Sequence, residues 1–177
     1  HPDLKAPEKI AKPDVKNCMH GFVDRSSKIV SVSPDHQTAT CTRIDQEIRS
    51  GIVFGNAMIA PSAQGHRPVS YTVYISAVQD KFFNSCKGGL AIGVTTRSSS
   101  EYRGDLPDQA SDISPCWLVG FDGASWDGTS MQWNVCSWNP EDLEPGDALK
   151  VLISAAGDLI LFVNSQKCAT LKMHIPK

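Results

Sequence analysis

Apolar and polar residues alternate along most of the chain, and the alternation has the period of a β-strand. It is clearest over residues 71–78, YTVYISAV, where Tyr71, Val73, Ile75 and Ala77 fall on one face and Thr72, Tyr74 and Ser76 on the other. The same reading predicts strands in KIVSVS (28–33) and QTATCTR (37–43), with a turn at Asp35-His36 between them. Further strands are predicted in IVFGNAMI (52–59), LAIGVTT (90–96), SPCWLVGF (114–121), LKVLISAA (149–156), LILFVN (159–164) and CATLKM (168–173). Gly157-Asp158 fits a type II′ hairpin turn with glycine at the first central position. NSQK (164–167) supplies the next turn. The run LILFV is apolar on both faces, which predicts a central strand buried on both sides. No stretch holds a three-turn amphipathic helix; DLPDQASDI (105–113) has room for one helical turn. About ten short strands with turns between them predict an all-β fold, a two-sheet antiparallel β-sandwich.

Length and composition narrow this picture. A chain of 177 residues fits one domain, and 41% apolar residues allow a sizeable core. Residues 1–16 are rich in lysine and proline and read as a linker or extended arm; the globular part is expected over 17–177. The start at His1 fits a segment cut from a longer chain. A net charge of -2 with scattered basic residues excludes a nucleic-acid footprint. The longest purely apolar run, residues 159–163, is far too short to span a membrane.

Six cysteines carry no CxxC spacing, several sit in apolar runs, and no glycosylation sequon occurs. Free thiols in a reducing, cytoplasmic setting are expected. The five histidines are far apart, and GxSxG, HExxH and P-loop patterns are absent. Cys86 reads as a buried structural residue rather than as half of a thiol dyad. DGASWDG (122–128) lacks the intermediate carboxylates of a calcium loop. No catalytic residue, metal or cofactor is predicted. Among the tryptophans, Trp117 lies in an apolar strand and is expected in the core. Trp126, Trp133 and Trp138 sit in a segment rich in Gly, Ser, Asp and Asn, read as a loop over 121–139. Trp126 serves either recognition or cover of a sheet edge; Trp133 and Trp138 are expected in the core.

The order of these motifs resembles the Neuralized homology repeat, a relative of the SPRY fold. His20-Gly21 precedes the first strand, and DHQTATCTR (35–43) is similar to an Ala-x-Arg segment through Ala39 and Arg43. SGIVFGNAMI (50–59) keeps Phe54. GGLAIGVTTRS (88–98) is similar to the family core motif through Gly89, Leu90, Ile92, Gly93, Val94 and Thr95. Leu106-Pro107, Trp117 and the hairpin LEPGDALKVLISAAGDLILFVNSQ (143–166) follow in the family's order. The chain departs from the pattern at Phe82-Phe83, where tryptophan is usual, and at Asn164-Ser165, where Asn-Gly is usual. A further strand expected after residue 173 has no counterpart before Lys177. That sheet position is either empty, leaving an edge open for pairing with another chain, or filled by residues 1–16.

The resemblance implies a non-catalytic protein-interaction module that recognises a peptide segment of a partner, with a substrate adaptor of ubiquitin ligases as one form. No cofactor is implied. The surface expected is a set of loops at one end of the sandwich, about 21–27, 60–69, 97–113 and 121–139, with Arg97, Tyr102, Arg103, Trp126 and Asp127 as candidate partner-binding residues. The alternatives are a lectin-like module binding carbohydrate or lipid, and a scaffold domain that self-associates through an open sheet edge.

Overall fold

The computed structural model describes residues 21–42, 51–56, 68–78, 90–107 and 109–176. The expected arm over 1–16, Cys86, Phe82-Phe83 and the loop over 60–67 lie outside the described residues. Twelve strands occur among those described: β1 (Phe22–Ser26), β2 (Val30–Val32), β3 (Ala39–Cys41), β4 (Val53–Gly55), β5 (Val69–Tyr74), β6 (Ala91–Thr95), β7 (Cys116–Gly120), β8 (Ala124–Asp127), β9 (Gln132–Val135), β10 (Ala148–Ile153), β11 (Leu159–Val163) and β12 (Gln166–Leu171). Short 3-10 turns at Ser99–Glu101, Ala110–Asp112 and Pro140–Asp142 interrupt them. The second is the helical turn expected in 105–113.

Two four-stranded antiparallel sheets face each other. One has the order β12-β11-β10-β5 and the other β6-β7-β8-β9; β1 with β4 and β2 with β3 form two-stranded ribbons. The core between the sheets takes alternate residues from each: Leu149 and Val151 of β10, Leu159 and Leu161 of β11, Ile92 of β6, and Trp117 and Val119 of β7. In β5 the period of two holds, with Tyr71 and Val73 packed inward and Thr72 and Tyr74 exposed. Strand β11 is interior to its sheet as predicted, yet Ile160 and Phe162 on its outer face are only half-buried. The strand buried throughout is β7, whose five residues are all buried. Its Trp117 and Val119 face the first core. Its Cys116 and Leu118 face a second cluster on the opposite side of the sheet.

Hairpin geometry corrects one turn. The Gly157 amide donates to the Ser154 carbonyl, so Ala155 and Ala156 are the central residues and Gly157 follows them. The glycine is still required. Its φ is +82°, and a Cβ there would lie 2.7 Å from the Ile175 carbonyl oxygen. The next hairpin pairs Val163 with Gln166 around Asn164 (φ 49°) and Ser165 (φ 70°). Both central residues at positive φ make this a type I′ turn.

Two expected loops are strands. Residues 22–26 form β1, and the segment 121–139 holds β8 and β9. Trp138 is buried and packs in the first core, as expected. Trp133 is not a core residue: it lies on β9 with 48% of its surface exposed.

Candidate functional site

The outer face of the β6-β7-β8-β9 sheet carries the candidate site. In its register Gly93 pairs with Leu118, Leu118 with Trp126, and Trp126 with Trp133. Directly opposed residues share a face, so these four form one row running from β6 to the β9 edge. Cover over the row thins along its length. Leu118 is buried beneath Ile52, Leu106 and Ile113; Trp126 is half-buried against the same cluster; Trp133 lies open. The ring centroids of Trp126 and Trp133 are 5.1 Å apart, and Phe121 meets Trp133 edge-on at 5.3 Å. Val135, opposite Ala124 on this face, is 96% exposed. The result is an aromatic surface that ends at an open strand.

The turn between β8 and β9 holds this surface in place. Asp127 closes β8 and accepts three hydrogen bonds there: from Trp117 Nε1 at 3.2 Å, from the Thr129 amide at 2.9 Å and from Ser130 Oγ at 2.8 Å. Thr129 Oγ1 accepts a second bond from Trp117 Nε1 and donates to the Met173 carbonyl. Gly128 fits because a Cβ would collide with the Cys116 backbone. Burial pushes the Asp127 carboxyl up, but the hydrogen bonds from Thr129 and Ser130 together outweigh it and hold the group below the usual carboxylate range. Both oxygens of Asp127 are therefore engaged within the fold.

The other candidate residues lie on the segment after β6. Arg97 donates from Nε to the Ser114 carbonyl and pairs through Nη1 with Glu101 Oε2 at 2.8 Å. Glu101 also accepts from the Ser98 amide and closes a capping box on the 3-10 turn. The bond from Ser98 and then that from Arg97 hold the Glu101 carboxyl low, and Glu101 raises the Arg97 guanidinium. Tyr102 is half-buried in the second cluster, its ring 6.1 Å from that of Phe54. Arg103 is exposed, with no ion pair among the described residues. Ser114 bridges the two regions: its carbonyl takes the Arg97 bond, and its Oγ lies 4.0 Å from Met131 Sδ at the start of β9.

Of the residues expected to bind a partner, Tyr102 and Trp126 thus share one cluster. Arg97 lies close enough to Tyr102 to act on it electrostatically, Arg103 is exposed at the next position in the chain, and Asp127 positions the hairpin that carries Trp126. Trp133, Phe121 and Val135 belong to the same surface; the sequence reading puts Trp133 in the core and singles out neither of the others. Their signal was the alternation Gln132-Trp133-Asn134-Val135 after the turn residues Asp127-Gly128-Thr129-Ser130, obscured by the polar composition around it. Cys116, beneath the cluster, is free. Burial pushes its thiol up to about 12, and its Sγ donates to the Ala110 carbonyl, so it packs as a small buried group.

No helix among the described residues is long and apolar enough to cross a membrane. Residues 22–177, nearly the whole chain, match the family model described as Neuralized. That domain is a protein-interaction module rather than a catalytic one. With this match and a SPRY-like β-sandwich, the chain belongs to the Neuralized family.

Proposed function

We propose that the domain is a non-catalytic module that recognises a peptide segment of a partner protein through the outer face of the β6-β7-β8-β9 sheet. The observation that carries this reading is the pair Trp126–Trp133. One ring is anchored in the second cluster, and the other packs against it at a tilt of 55°, half in the open. Binding energy concentrates on aromatic and arginine side chains, and the aromatics bury large area with few rotatable bonds. The exposed Arg103, next to Tyr102 in the chain, adds positive charge that suits a peptide with an acidic or carbonyl-rich flank, whereas the charge of Arg97 is met by Glu101. Asp127 acts as a positioning residue. Family membership supports service as a substrate adaptor in a ubiquitin-ligase pathway, and the free thiols of Cys116, Cys136 and Cys168 suit a reducing, cytoplasmic setting.

The test is affinity capture with the domain as bait. It compares the wild type with a Trp133→Ala, Arg103→Ala variant that retains the wild-type unfolding transition. Proteins held by the wild type and lost by the variant support the reading. Equal recovery by both removes this face from the site. The open edge of β9 favours a second reading, self-association, which uses the strand's backbone rather than the sheet's face.

A further inference from the structure

Strand β9 ends its sheet, and the ladder shows which of its backbone groups point outward. The Cys136 amide donates to the Gly123 carbonyl at 2.8 Å. Bonded and non-bonded pairs alternate in an antiparallel ladder. The pairs Ser125–Asn134 and Asp127–Gln132 are therefore bonded, whereas Ala124–Val135 and Trp126–Trp133 are not. The amides and carbonyls of Trp133 and Val135 consequently face away from β8. Nothing pairs with that edge among the described residues.

Apart from its shortness, the edge lacks the devices that usually block pairing. Strand β9, Gln132-Trp133-Asn134-Val135, carries no charge and no proline, and Val135 is 96% exposed. Other edges differ. β12 carries Lys167, β5 follows directly on Pro68 and shows Ser70 and Thr72 outward, and β6 has its Gly93 carbonyl taken by the Tyr71 hydroxyl.

We infer that β9 pairs antiparallel with β9 of a second copy of this chain, about a two-fold axis at Asn134. Only this register sets the outward pair Trp133 and Val135 against Val135 and Trp133 of the second copy, and it forms about four backbone hydrogen bonds. The side chains agree with it. Directly opposed residues share a face, so the exposed Val135 of each copy lies beside the half-exposed Trp133 of the other. Asn134 meets its own counterpart on the opposite face, where one amide donates and the other accepts. The interface is isologous, as closed dimers require. It joins the two sheets into one and sets two aromatic faces side by side. Because the strand is short, the contact is smaller than a standard interface and the dimer is weak. The inference does not depend on peptide recognition by the face, since the bonds it uses are those of the edge.

The test is sedimentation equilibrium of the 177-residue chain from about 10 µM to about 1 mM, a range chosen for a weak interface. The mass of the wild type is expected to rise with concentration from one chain towards two. Asn134→Asp and Asn134→Lys each set like charges across the axis and are expected to weaken association roughly tenfold or more. An equimolar mixture of the two variants opposes unlike charges and is expected to restore it. Urea unfolding of each variant establishes that the fold is kept. A wild type that stays monomeric throughout overturns the inference. So does a dimer that neither variant weakens, or a mixture that behaves like the separate variants.

Discussion

The phenol of Tyr71 donates to the carbonyl of Gly93 at 2.6 Å, tying the edge strand of one sheet to the edge strand of the other. Tyr71 pairs across β5 and β10 with Val151 in the core, and Gly93 lies where a Cβ would collide with the Trp117 carbonyl. Tyr71→Phe keeps the ring and leaves the Gly93 carbonyl without its partner. A loss of about 1–2 kcal/mol is expected from urea unfolding, with an unchanged dependence on denaturant.

The same residue gives a dependence on pH. Burial pushes the Tyr71 phenol well above its ordinary value of 10.0. The folded state thus keeps a proton that the unfolded state releases. The resulting stabilisation is complete below about pH 10 and is lost as pH rises beyond it, towards the folded value. Stability measured from pH 8 to 11 is expected to fall more steeply in the wild type than in Tyr71→Phe. Parallel curves would show that the phenol ionises as freely folded as unfolded.

Asp127 offers the opposite sign. Its carboxyl lies below the ordinary carboxylate value, so its contribution is present above about pH 4 and is lost as pH falls through the folded value. Asp127→Ala also removes the acceptor for Thr129 and Ser130 and one of the two for Trp117 Nε1. A loss of about 2 kcal/mol near neutral pH is expected, together with a flatter acid limb.

The type I′ turn holds Ser165 at φ 70°, a conformation that glycine adopts without strain. Ser165→Gly is expected to stabilise by about 0.5–1 kcal/mol and raise Tm by roughly 2–4 °C in a calorimetric scan. Gly157→Ala is expected to do the reverse, by about 2 kcal/mol or more, because φ is +82° and the Ile175 backbone occupies the space of a methyl group.

The two neighbouring tryptophans should separate in their effects. Trp126 packs against Leu118 and the second cluster, so Trp126→Ala is expected to cost roughly 3 kcal/mol of stability. Trp133 is half-exposed on the edge strand, and Trp133→Ala should cost about 1 kcal/mol. A binding assay is therefore cleaner with Trp133, where lost capture reflects the surface rather than the fold.

The sequence by itself determined the all-β class and most strand positions. Where one face of a strand meets a core, burial imposes a period of two, which residues 69–74 and 148–153 show directly. It also placed Trp117 in the core, through the apolar run around it. Tertiary structure decided what lay beyond local pattern. Gly157 was legible as a turn glycine, but its position within the turn depended on where the Ile175 backbone passes. The polar segment 121–139 read as a loop because an edge strand is solvated on most sides and need not be apolar. Its pairing runs through two tight hairpins, β7-β8 and β8-β9, whose register is set by the Asp127 turn and the buried ring of Trp117. Only that register sets Trp133 beside Trp126 and turns a composition read as a loop into a face and an edge. Cross-strand neighbours are fixed by hydrogen-bond register between distant segments, which no single strand's sequence encodes.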